Sequence, residues 1–155
     1  MKPLLLFLTV LAYTSCSIKV QSHYSTKIGK ITANGPVITL NQTVLFDDWE
    51  DWLNEHTTIN VTFDTATIFT ENDKYWITGI NQSGSIKSTV PLVVDSGNIY
   101  EIQTSPGVSH SITCSGCTQG CNPREDEIKG WYCKDPCTSC VKSETVVSGG
   151  SGIWQ

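Results

Sequence analysis

Six cysteines fall within 27 residues near the C-terminal end, and nothing else in the 155-residue chain restricts its folding as tightly. They are Cys114, Cys117, Cys121, Cys133, Cys137 and Cys140, separated by 2, 3, 11, 3 and 2 residues, nearly a palindrome. A segment this short and polar cannot build a core of its own, so covalent links must order it. Three chemistries suit the spacing. Disulfides would staple it, each closed loop of about 15 residues contributing roughly 3 kcal/mol in the chain-entropy model. Paired C-x-x-C groups also suit tetrahedral zinc or an iron–sulfur cluster. Cys114 with Cys117, and Cys137 with Cys140, further share the dithiol spacing of redox proteins.

The compartment discriminates among these, and the N-terminus speaks to the compartment. Lys2 supplies a positive charge, residues 4–13 (LLLFLTVLAY) form a short apolar stretch, and Thr14-Ser15 are small. Those are the three parts of a secretory signal. The stretch is too short to cross a hydrocarbon core, which takes about 20 helical residues. Cys16 follows at once, where a bacterial lipoprotein carries its acylated cysteine, although Tyr13 stands where Leu is usual. Setting Cys16 aside leaves an even six, as disulfides require. Cleavage beyond Ser17 would have the same effect by removing Cys16. Exported thiols pair before they meet metal. The leader has no twin-arginine pair, so the chain crosses unfolded and cannot carry a cluster built in the cytoplasm. A βαβ context for a redox motif is missing, and no C-x-x-C-H exists for covalent haem. Three disulfides are therefore expected, with all 15 pairings open.

The body of the chain has a β texture. Segments 27–32, 36–46, 57–63, 65–69, 74–80, 85–94, 98–104 and 108–114 are rich in Val, Ile, Thr and Phe, and turn residues bound them. Such spacing predicts a mainly β, antiparallel sandwich or barrel. One short helix is expected over 47–56, capped by Asp47 with Glu50 in the capping-box position. Its apolar stripe is Trp49, Trp52, Leu53 and His56. The predicted organisation is a signal peptide (1–15), a tether (16–26), a β-rich domain (27–113), a cysteine-rich disulfide module (114–142) and a compositionally flexible tail (143–155). Residues 47–73 carry eight carboxylates and no Lys or Arg. They lack a calcium-loop pattern and read as a solvated face. Three N-x-[ST] sequons, at Asn41, Asn60 and Asn81, matter only in a eukaryotic secretory chain.

A formal charge of −5 argues against a nucleic-acid partner held by phosphate contacts. No nucleophile-elbow, zincin, Walker or dinucleotide motif occurs, and His23, His56 and His110 are the only histidines. His110 reads as an exposed strand residue. Trp131 and Tyr132 are the candidate ligand contacts, able to stack a sugar ring or another apolar group. The strings Tyr75-Trp76-Ile77-Thr78-Gly79, Pro91-Leu92-Val93-Val94, Gly97-Asn98-Ile99-Tyr100 and Cys114-Ser115-Gly116-Cys117 resemble a group of small exported lipoproteins of the Bacteroidota envelope, over roughly residues 73–140. That resemblance implies an envelope protein and implies no activity, so it transfers no functional residue. The expectation is a non-catalytic binding or structural protein needing no cofactor or metal. It would be held on the outer membrane by a lipid at Cys16 and would meet an envelope protein or glycan. The alternative is an extracytoplasmic metal or thiol-redox module using the six C-terminal cysteines.

Overall fold

The computed structural model describes residues 24–103, 107–117, 120–134, 139–150 and 152–154, with side chains from residue 26. The signal, Cys16, most of the tether and Cys137 lie outside the described residues. Among the described residues, ten strands and one helix follow in the order β1 (Tyr24–Thr32), β2 (Gly35–Ile38), α1 (Gln42–His56), β3 (Phe63–Glu71), β4 (Lys74–Asn81), β5 (Ile86–Asp95), β6 (Asn98–Ile102), β7 (Val108–Ser115), β8 (Asn122–Asp126), β9 (Gly130–Lys134) and β10 (Val141–Ser148). All pairings are antiparallel. The molecule is a mainly β, nearly closed barrel-like sheet with one helix and a disulfide-bonded C-terminal region.

Turn chemistry sets the tight hairpins. Between β3 and β4, Asn72 and Asp73 sit at φ 51° and 60°; between β5 and β6, Ser96 and Gly97 sit at φ 50° and 78°. Positive φ at both central positions matches the right-handed twist of the flanking strands. Six strands then run in the order β3-β4-β5-β6-β1-β2, and the sheet curls until β2 approaches β3. β5 is where the sheet branches. It pairs with β4 along one edge, while its other edge gives Ile86–Thr89 to β7 and Leu92–Asp95 to β6. β10 extends the β7 limb. Where β5 and β7 meet, hydroxyls replace methyls inside: Ser88 Oγ lies 2.7 Å from Ser111 Oγ, and Thr113 Oγ1 donates to Ser88 Oγ at 3.0 Å. Pairing the hydroxyls with one another makes their burial tolerable.

The helix begins earlier than the stripe alone predicts. Asn41, not Asp47, caps it, its Oδ1 accepting from Thr43 N at 2.9 Å and Val44 N at 3.4 Å. Residues 42–46 join the helix rather than the preceding strand because Leu45 and Phe46 continue the buried face of Trp49, Trp52 and Leu53. Glu50 does not close a capping box; its Oε1 accepts from Phe63 N at 2.6 Å and ties the helix to the start of β3. Residues 57–62 make no ladder pairing, and the strand expected over 57–63 begins only at Phe63. Ile28, Ile77, Val90, Leu92 and Ile99 from the strands meet the helix in one core.

The expected flexible tail is corrected by the structure. Val141–Ser148 is a full strand on β7, and the chain beyond it returns to the core. Trp154 is 0% exposed, edge-on to Trp49 at 5.3 Å, with its Nε1 donating to Leu45 O at 2.9 Å. Ile153 N donates to Glu101 Oε2 at 2.9 Å, and Thr26 Oγ1 donates to Trp154 O at 3.0 Å. Burying an indole outweighs the glycine-rich approach to it. The tether likewise ends sooner than 26, since β1 starts at Tyr24 and pairs with β6.

Candidate functional site

The second layer is built from the cysteine module. Its strands β8 and β9 form a separate two-stranded sheet laid against the outer face of the main one. Two disulfides hold it, Cys114–Cys133 and Cys121–Cys140, each with Cα atoms 5.7 Å apart. Their spans cross, so the segment 121–133 lies inside both closed loops. Cys117 is disulfide-bonded as well, to a partner outside the described residues. The first bridge fastens β9 to β7 and therefore fixes where Trp131 stands.

Strand alternation supplies the rest of the site. On β4, Tyr75 and Ile77 pack towards the core while Trp76 turns outward. Pro91, its cross-strand partner on β5, turns outward beside it. His110 comes from β7 and Trp131 from β9. Trp131 meets Trp76 edge-on at 4.8 Å, and His110 meets Trp131 edge-on at 6.1 Å. With Val93, these residues line a cleft of about 480 Å³. Trp76 is 5% exposed and forms its floor, whereas Trp131 is half-buried and forms a wall. An apolar cleft of this size with a few polar groups at its rim suits a small ligand.

The polar rim is organised. Lys142 Nζ donates to Trp131 O at 2.9 Å and to Glu144 Oε2 at 3.1 Å, and Glu144 Oε1 lies 3.0 Å from His110 Nε2. Burial pushes the Glu144 carboxyl up, but the hydrogen bonds from Lys142 and His110 outweigh it and hold the group below the ordinary carboxylate range. Across the opening, Lys74 Nζ donates to Glu125 Oε2 at 2.7 Å. At the hairpin tip, Asp126 Oδ1 accepts from Ile128 N and Lys129 N, both at 2.9 Å, which keeps that carboxyl low and fixes the turn.

The two aromatic candidates part company here. Trp131 lines the cleft, whereas Tyr132, its neighbour in β9, faces the other way, with Lys129 Nζ 5.8 Å from its ring. His110 is not the exposed strand residue its sequence suggests: its side chain is 12% exposed and shares the Glu144 contact. Glu144 and Trp76 escaped the sequence reading because their partners lie 34 and more residues away. Beside His110 stands the Glu144 carboxylate, and the described lining of the cleft holds no Ser, Thr or Cys. Ser109 is buried on the opposite face of β7 from His110. His56 ends its helix with Nδ1 2.8 Å from Trp52 O, and His23 lies outside the described residues. Among the described residues no group of His, Cys, Asp and Glu is arranged to hold a metal ion. Sulfurs joined in disulfides offer no thiolate to one.

Comparison of the chain with family models, curated proteins and solved structures returns no match.

Proposed function

We propose that this chain is an exported binding protein without catalytic activity, anchored to a bacterial envelope by a lipid at Cys16, and that it takes a sugar ring of an envelope glycan in the Trp131–Trp76–His110 cleft. The observation that carries this reading is Trp131 itself. An aromatic wall held over a second tryptophan by the Cys114–Cys133 bridge is already in place before a ligand arrives. Preorganisation of that kind lowers the entropy cost of binding. The indole face offers the apolar surface a sugar ring stacks on, and Glu125, Lys74 and His110 stand at the rim for its hydroxyls. The short apolar leader, the cysteine that follows it, the disulfides and the resemblance to Bacteroidota lipoproteins all support export to an oxidising envelope.

Titration of the mature protein with neutral hexose oligosaccharides, read by tryptophan fluorescence, tests the cleft. A saturable change is expected, and it should be lost in Trp131→Ala. An unchanged spectrum across the series, or a change that survives Trp131→Ala, removes the cleft as the site. For the anchor, Cys16→Ser is expected to move the mature chain out of the membrane fraction. Retention there would exclude acylation at Cys16.

A further inference from the structure

The hairpin has a second side. Neighbouring residues of β8 project from opposite faces, so Glu125 lines the aromatic cleft while Arg124 lines a separate groove of about 400 Å³. The floor of that groove is the outer face of β3, β4 and β5, including Thr67, Phe69, Thr78 and Lys87; its wall is Asn122, Pro123 and Arg124. On a chain of formal charge −5, it gathers two cations, Lys87 and Arg124, against one carboxylate, Glu71.

Both cations are held in place, and neither is neutralised at close range. Lys87 Nζ donates to Asn122 Oδ1 at 2.7 Å, a neutral acceptor, and among the described residues it has no carboxylate partner. An ammonium carries three donors, so two remain. The Lys87 stem is confined: a methyl at Gly120, whose φ is +78°, would stand 2.6 Å from Lys87 Cε and 2.7 Å from its Nζ. The Arg124 guanidinium lies 5.2 Å from the Phe69 ring centre and its Nη1 donates to Pro123 O at 3.3 Å, which leaves the Nη2 donors for a ligand. Its one carboxylate neighbour, Glu71, approaches Nε only to 3.9 Å, and both side chains are more than a third exposed or nearly so. An ion pair of that length and exposure is weak and screened. Partial burial and the nearby Arg124 both lower the Lys87 pKa, as expected where two positive groups share a partly desolvated space.

We propose that this groove is an oxyanion site, which takes a carboxylate or sulfate group between Lys87 and Arg124, with the Thr67 hydroxyl as a further donor. Arg presents a planar fork suited to two oxygens, Lys supplies a point charge, and a hydroxyl completes a polar cradle. The assignment does not depend on what fills the aromatic cleft.

The test is an amide-shift NMR titration of the ¹⁵N-labelled mature protein at constant ionic strength, with sodium sulfate in one arm and sodium glucuronate in the other. Saturable shifts are expected at the amides of Lys87, Asn122 and Arg124, with the rest of the spectrum unmoved. Tighter glucuronate binding marks a carboxylate-bearing sugar as the ligand class, and equal or tighter sulfate binding marks an inorganic or sulfate-ester oxyanion. Arg124→Gln and Lys87→Met should each weaken binding at least tenfold. Thr67→Val, at an exposed position that leaves both cations and the core alone, should weaken it severalfold. Failure of both anions to give saturable shifts overturns the proposal. So does binding that survives Arg124→Gln and Thr67→Val, or that is lost in Trp131→Ala, which would put the anion in the cleft.

Discussion

Gly79 has no room for a side chain. A methyl group there would stand 2.9 Å from the Phe63 ring and 3.0 Å from Trp49, and those two rings pack at 4.8 Å in the centre of the core. Gly79→Ala is therefore expected to cost about 1–3 kcal/mol by overpacking, read as a lower midpoint in a urea melt. Trp154→Ala removes a fully buried indole and should cost about 3–5 kcal/mol, whereas Val146→Ala, at a side chain 57% exposed, should stay within about 0.5 kcal/mol. Glu144 adds a pH signature. Its folded carboxyl binds a proton less readily than an ordinary one, so its contribution is present above the ordinary carboxylate pKa and is lost as pH falls through its lower folded value. The stability gap between the native chain and Glu144→Gln should accordingly shrink as pH is lowered through that window. At this scale the helix stripe was readable because Trp49, Trp52 and Leu53 repeat at helical spacing within one turn or two. His110 was misread because the residue that pairs with it comes from another strand.

Both proposed sites depend on one element, the β8–β9 hairpin. Alone it would be marginal, since a two-stranded ribbon rarely holds in water; the crossed bridges and its contact with β5 and β7 hold it. Replacing Cys114 and Cys133 together by alanine should cost about 3 kcal/mol in the loop-entropy picture. It should also free Trp131 from Trp76, seen as a red-shifted tryptophan emission and a weaker near-ultraviolet circular dichroism signal. Most strands were legible from β-branched runs between turn residues, because side-chain period and turn type are local properties. Two elements were not. Residues 42–46 read as strand by composition but continue a buried helical face, and 57–62 reads as strand yet finds no ladder partner. In the first, burial of Leu45 and Phe46 on the helix overrode local preference.

For the whole molecule, oxidation state is the measurable consequence of the proposed export. Three bridges among the six C-terminal cysteines remove six hydrogens, and the intact mass of the native mature protein should show that deficit without bound metal. Free thiols with stoichiometric zinc or iron would instead support the metal or redox alternative. The amino-acid sequence by itself determined the β class, the aromatic face of one helix and the oxidation of its cysteines, because periodicity, turn residues and thiol density act over a few residues. Tertiary structure alone decided that β5 branches, that Trp154 returns to the core beside Trp49, and that the two faces of one hairpin line an aromatic cleft and a cationic groove. Each of those joins residues distant in sequence, and only the folded sheet and the bridges across it bring them together.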